Sequence, residues 1–298
     1  MTNAVKILAA VFCLAALFAC GTDVVSTESP APTIMTTPSQ TPASTPSPTP
    51  VVTPTVAPTP SPTPEIDDPD DITKFPHYIP GNAYRYDGYI AAYPELPLDL
   101  SVAYVNAGLD VGFYSYTMPV PNPESPLAFV TKRYYLDSGY VPKNLVRALE
   151  GFELLRADAA DALAAMTAAI RLEGMNLEVV SGYRSYAIQV IQRKNGSDAY
   201  NARAGHSEHQ LGLSADIVPK HQQIKLSQYN FQNSNEYAWL VAHAHEYGFI
   251  LRFPLDYTHI TGYTYEPWHW RYIGIEAATR MFDEHIATFE EYYGRYLA

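Results

Sequence analysis

Cysteine is almost missing from this chain: among 298 residues there are two, Cys13 and Cys20. Beyond Cys20 the chain has no disulfide and no thiolate metal site, so a metal bound there must be held by His, Asp or Glu. Basic residues are scarce as well, with 19 Lys and Arg against 31 Asp and Glu and a formal net charge of -12. Without a Lys/Arg cluster the chain lacks the electrostatic footprint of a nucleic-acid binder, and no nucleic-acid partner is expected. The same scarcity argues against docking on anionic lipid through a basic patch. Apolar side chains are not scarce. At 47% of residues they are enough to build a core, and the length allows one or two domains.

Three parts follow one another. From Met1 to Cys20 the only charged side chain is Lys6, and Ile7 to Ala19 is an apolar run of thirteen. A bilayer span takes about 20 residues, so the run fits the core of a secretory signal peptide instead. It ends Leu17-Phe18-Ala19-Cys20-Gly21, which resembles a bacterial lipobox, although a small residue is commoner than phenylalanine at position 18. Cys20 is therefore the expected site of diacylation, placing a membrane-anchored lipoprotein on the cell-wall side. An ordinary secretory signal with an incidental cysteine is the alternative. Residues 21–71 are rich in Pro, Thr and Ser and cannot bury apolar area, so they read as an extended, partly polyproline linker. Residues 72–298 hold all 24 Tyr and all three Trp and read as the folded domain.

Within that domain, Leu98 to Phe113 has mixed strand and turn character. Pro142 opens a long helical pattern through Leu145, Leu149, Phe152, Leu155, Leu163, Met166 and Ile170 that Gly174 closes. Leu177–Tyr183 and Leu213–Val218 read as strands, and Ser185–Lys194 as a short helix ended by Asn195-Gly196. Ser234 or Asn235 caps a helix from Glu236 to Tyr247, closed by Gly248. Phe249–Phe253 and Tyr265–Tyr272 read as aromatic strands and Ile275–His285 as a closing helix. The pattern predicts an α+β fold, a small, largely antiparallel sheet with helices packed on it.

Nine histidines invite a search for metal spacing. The segment Gly205–Asp216 brings His206, Glu208, His209 and Asp216 together, and Glu266-Pro267-Trp268-His269 places a carboxylate three residues before a histidine. A catalytic zinc needs three protein ligands and an open position. His209, Asp216 and His269 supply such a set and leave Glu266 free as a general base, but the spacing does not force the two segments together.

The same residues carry a resemblance. From about Tyr134 to Gly274 the chain resembles the VanY-type zinc D-alanyl-D-alanine carboxypeptidases, related to L,D-carboxypeptidases of the LdcB type. The matching stretches are Tyr140-Val141-Pro142, Ser181-Gly182-Tyr183-Arg184-Ser185, Ser207-Glu208-His209-Gln210 through Asp216, Tyr247-Gly248-Phe249-Ile250, and Thr261-Gly262-Tyr263 leading to Glu266-Pro267-Trp268-His269-Trp270-Arg271-Tyr272. Ser214 stands where the family commonly has alanine. The resemblance implies a Hedgehog/DD-peptidase-like zinc peptidase fold. It implies Zn2+ held by His209, Asp216 and His269, with Glu266 as the base and Arg184 stabilising the oxyanion. Gln189 and Ser207 look like contacts to the terminal residue of a peptidoglycan stem peptide.

Each of these positions also has a plainer reading: a capping or salt-bridging carboxylate, a structural arginine, or, for Gln189, a residue on a helix surface. His206 falls at HxxH spacing, yet the family does not use that position as a ligand, so a place at the rim is expected. His243 and His245 are two apart on a helix and read as structural. Three functions compete: removal of terminal D-Ala from stem peptides, L,D-carboxypeptidase action on tetrapeptide stems, and a non-catalytic wall-binding module. The last should have lost a ligand or the base, and none is missing. No oligomerisation signature stands out, so a monomer is expected.

Overall fold

The computed structural model describes residues 68–194, 196–220 and 231–298. The expected signal peptide, Cys20 and nearly all of the linker lie outside the described residues, as does Asn195. Among the described residues no helix is long and apolar enough to cross a membrane.

Helices α1 (Ala83–Ala92) and α2 (Leu98–Asn106) come first. The second replaces the strand and turn expected there. Val102 and Val105 recur at helical spacing and pack with Phe75 and Tyr86 in a small cluster, with Leu98 against it, so burial of one face decides for helix. Strands β1 (Met118–Pro119) and β2 (Tyr134–Tyr135) form a short parallel pair.

The long helix expected from Pro142 is a hairpin followed by a shorter helix. Strands β3 (Leu145–Arg147) and β4 (Leu154–Arg156) pair antiparallel, and α3 starts only at Ala157 and runs to Leu172. Leu145, Leu149, Phe152 and Leu155 fall at helical intervals, but Asn144 and Leu149 have positive φ, which no α-helix accommodates. Phe152, counted as an inward position, is 85% exposed.

The main sheet contains β5 (Leu177–Ser181), β6 (Ser214–Pro219), β7 (Phe249–Leu251) and β8 (His269–Tyr272) in the order β5-β6-β8-β7, antiparallel throughout. Its apolar face presents Ala215, Ile217, Trp270 and Phe249 to a core shared with Leu163, Met166 and Ile170 of α3. Helix α4 (Tyr186–Arg193) follows β5 and is capped by Ser185, whose Oγ accepts from the Ile188 amide. Helix α5 (Asn235–His243) is capped by Ser234. The one-turn α6 (Thr258–Thr261) precedes β8, and α7 (Ile275–Asp283) and α8 (Phe289–Tyr296) close the chain. Only the last four residues of the expected Tyr265–Tyr272 strand are extended. Pro267 has no N–H for a ladder and instead sits in a turn in which the His269 amide donates to the Glu266 carbonyl at 3.0 Å. Helices α1 and α8 had no counterpart in the sequence reading. The α+β class with an antiparallel sheet holds.

Candidate metal centre

Strand alternation builds the site. Along β6, Ser214 and Asp216 share a face; along β8, His269 and Arg271 do. The register pairs Ser214 with Arg271 and Asp216 with His269, so these four side chains rise from the side of the sheet opposite the apolar core. Asp216 Oδ1 lies 3.1 Å from His269 Nδ1. His209 arrives from a separate element, a 3-10 turn over Glu208–Leu211. Its Nε2 is 3.5 Å from the same Asp216 oxygen, and its ring packs edge-on to His269 with centroids 4.9 Å apart. One ligand atom from each of His209, Asp216 and His269 lies within 4.8 Å of the others, and all three residues are buried.

The two imidazoles present different nitrogens to the cluster. His209 Nδ1–H donates to the Gly182 carbonyl at 2.7 Å, which leaves Nε2 as the atom facing the cluster. Gly182 can serve only as glycine, because a Cβ there would meet the Leu154 carbonyl oxygen at 2.3 Å. His269 is reversed: Nδ1 faces Asp216, and Nε2 lies 3.6 Å from Glu208 Oε2.

The electrostatics favour a cation. Burial alone would raise the Asp216 carboxyl, but His209 and His269 outweigh it and hold Asp216 well below the usual carboxylate range. Burial would likewise lower the His269 imidazole, yet Asp216 and Glu208 outweigh it and lift His269 to about 9. A buried pocket whose carboxylates stabilise positive charge this strongly suits a divalent ion. Two imidazoles and one carboxylate are a donor set that zinc accepts.

Glu266 stands beside the cluster, its Oε2 3.9 Å from His269 Nδ1. Burial, partly countered by His269, pushes its carboxyl up to about 7. Arg184, in the loop after β5, has a buried Nε with no partner and donates through Nη1 to Gln192 at 2.7 Å. Gln189, expected either at substrate or on a helix surface, is 2% exposed. Its Nε2 donates to the Ala202 carbonyl at 2.8 Å, while its buried Oε1 has no partner. Ser207 is buried at the same place. Arg184, Gln189, Ser207, His209, Asp216, Glu266 and His269 all line one cavity of about 180 Å³. His206 lines it too, turned away from the cluster with Nδ1 on the Thr131 carbonyl at 2.8 Å.

Comparison with known proteins gives this arrangement a family. The family model described as VanY, D-alanyl-D-alanine carboxypeptidase, matches residues 153–275. A putative carboxypeptidase, YodJ of Bacillus subtilis (strain 168), is 38% identical over 190 residues, covering 58% of this chain and 69% of that protein. The chain belongs to the VanY family. A D-alanyl-D-alanine carboxypeptidase of Enterococcus faecalis (strain ATCC 700802 / V583) is 38% identical over 115 residues, covering 39% of this chain and 40% of that protein. Among solved structures, the LdcB LD-carboxypeptidase is similar with a TM-score of 0.56 and 36% identity, covering 61% of this chain and 91% of that one. The resemblance carried by the motifs, and the zinc-peptidase fold it implied, both hold for this VanY-family chain.

Sequence reasoning gave no role to three buried charged residues around the cluster. Glu208 is 4% exposed, Arg252 1% and Arg271 0%. Arg252 Nε donates to Glu208 Oε1 at 2.8 Å, and Arg271 Nη1 lies 3.1 Å from that oxygen. A signal was present: an arginine inside each of two segments that otherwise read as buried aromatic strand, Arg252 in Phe249–Phe253 and Arg271 in Tyr265–Tyr272.

Proposed function

We propose that this VanY-family chain is a zinc carboxypeptidase that removes the terminal D-Ala from peptidoglycan stem peptides. The observation that carries the reading is the convergence of seven side chains, from three separate stretches of sequence, on one cavity: a buried three-ligand cluster, a carboxyl lifted to about 7 and an arginine with an unpartnered Nε.

His209 Nε2, Asp216 and His269 Nδ1 would hold the metal. Zinc, when bound, polarises the scissile carbonyl and makes water acidic enough to attack near neutral pH. Glu266 accepts the proton of the attacking water and returns it to the leaving amine; a carboxyl lifted to about 7 is matched to both transfers. Arg184 lines the cavity with an unpartnered Nε, a cationic donor for the oxygen that becomes anionic. Gln189 and Ser207 hold the terminal residue, Gln189 through its unpartnered Oε1.

A second reading, L,D-carboxypeptidase action on the tetrapeptide stem, is favoured by the likeness to the LdcB LD-carboxypeptidase and uses the same residues in the same roles. A wall-binding module without chemistry is disfavoured because ligands, base and Arg184 are all present. The deciding experiment incubates the protein with a stem pentapeptide ending in D-Ala-D-Ala and, separately, with the tetrapeptide, each with and without chelator, and reads products by mass spectrometry. Chelator-sensitive loss of one D-Ala from the pentapeptide alone supports the first reading. Cleavage of the tetrapeptide instead moves the protein to the L,D class, and cleavage of neither overturns both.

The N-terminal residues support a location as well. The thirteen-residue apolar run, the lipobox-like end and the Pro-rich segment fit a lipoprotein tethered through Cys20 outside the cell, where stem peptides are. Cys20→Ala should leave the membrane fraction; a variant that stays there overturns the anchor.

A further inference from the structure

The residues that match the VanY family model end at 275. Beyond them, α8 sends Glu290 into the interior, where it is 2% exposed. Both of its oxygens are taken by Arg252, Nη1 to Oε2 at 2.9 Å and Nη2 to Oε1 at 2.7 Å. The third nitrogen of that guanidinium, Nε, donates to Glu208 Oε1 at 2.8 Å. The other oxygen of Glu208 faces His269 Nε2 and accepts from Ser214 Oγ at 3.4 Å. Four buried charges thus run in line from the last helix to a ligand histidine: Glu290, Arg252, Glu208 with Arg271 beside it, then His269.

We propose that Glu290 is a positioning residue for the metal centre, acting through Arg252 and Glu208 to fix the ring of His269. Two arginines and two glutamates balance. Without Glu290, two buried guanidinium groups face the single carboxylate of Glu208, and an unpaired buried charge is costly. Glu208 is then pulled toward the arginines and away from His269 Nε2, so the ring loses the carboxylate that faces it at 3.6 Å.

The helix that carries Glu290 is held by residues that also precede the family match. Gly294 packs so closely on α2 that a Cβ would lie 1.9 Å from the Ala103 carbonyl oxygen. Asn106 Nδ2 donates to the Gly294 carbonyl at 3.1 Å, and Arg295 pairs with Asp99 at 2.9 Å. Thr288 Oγ caps the helix start by accepting from the Glu291 amide at 3.2 Å. The N-terminal helices and the last helix together form a clamp whose inward product is one carboxylate.

This inference rests on the metal reading above, and its test separates the two. Zinc affinity of the full chain is measured by chelator competition for the wild type, Glu290→Gln, Glu208→Gln and the double variant, with circular dichroism of the metal-free forms. Outer-shell partners of ligand histidines typically govern metal affinity by about 10- to 100-fold. Glu290→Gln should lose roughly that much with its metal-free spectrum unchanged, and the double variant should be no weaker than Glu208→Gln, because both act through one path. An unchanged zinc affinity in Glu290→Gln, or losses that simply add, overturns the proposal. A wild type that binds no zinc overturns the metal reading itself. Should Glu290→Gln fail to fold, Glu290→Asp decides: it keeps the charge but withdraws it by one methylene, and weaker zinc binding is again expected.

Discussion

Asp216 and His269 are cross-strand partners, and their side chains meet with Oδ1 3.1 Å from Nδ1. The contact between two candidate ligands 53 residues apart is therefore a consequence of sheet register. A one-residue slip of β8 against β6 would send His269 to the core face and Trp270 to the cluster. The metal site and the fold share one specification, and the following predictions use that link.

Glu266 is placed to move protons and lies outside the ligand set. Glu266→Ala should retain zinc and lose about 100- to 10,000-fold in kcat. Metal content and turnover measured on one preparation check this; an active variant would sink the assignment.

Ligand loss should behave differently. His209→Ala or His269→Ala should release the metal and abolish turnover together. Zinc in excess should stabilise the wild type by RT ln(1 + [Zn]/Kd), about 2.7 kcal/mol at one hundred times Kd. Thermal unfolding with and without chelator reads this directly, and neither ligand variant should show the increment.

Arg184 and lysine differ in shape more than in charge. Arg184→Lys keeps a cation but loses the fork and the buried Nε donor, so kcat should fall about 100-fold with KM changed far less. Steady-state kinetics on the cleaved stem peptide tests it; a KM effect alone would assign Arg184 to ground-state binding.

Gly182 links backbone packing to a ligand. Gly182→Ala would force a Cβ to 2.3 Å from the Leu154 carbonyl oxygen. It would also displace the carbonyl that orients His209. A loss of about 1–3 kcal/mol in stability should come with weaker zinc binding, read by unfolding and chelator competition.

Away from the site, burial holds the His77 imidazole below its ordinary value, against the pull of the Asp99 carbonyl that its Nε2–H meets at 3.1 Å. For a depressed histidine, stability is complete above the unfolded-state pKa of about 6.5 and is lost as pH falls, because the unfolded chain takes up a proton first. Melting temperature should therefore drop between neutral pH and pH 5. The drop should be smaller in His77→Gln, and an identical pH profile in the variant would contradict the assignment.

Sequence alone determined the chemical inventory. With cysteine absent after Cys20, histidine and carboxylate were the only strong metal donors left, and the motifs around Arg184, His209, Asp216 and Glu266 carried a residue-level resemblance that held for the family and the fold. Local signals also placed α4, β6 and α5, because capping serines and apolar periodicity act within a few residues. Where local and tertiary preferences conflicted, the local reading failed. The spacing of Leu145 to Leu155 suits a helix, but positive φ at Asn144 and Leu149 turns the chain into a hairpin. Tertiary structure alone decided that Asp216 faces His269, that Gln189 is buried at the cavity, and that Glu290 closes a charge chain behind the metal site. These facts rest on contacts between segments far apart in the chain. Spacing in one sequence does not encode them; strand register and the docking of the last helix do.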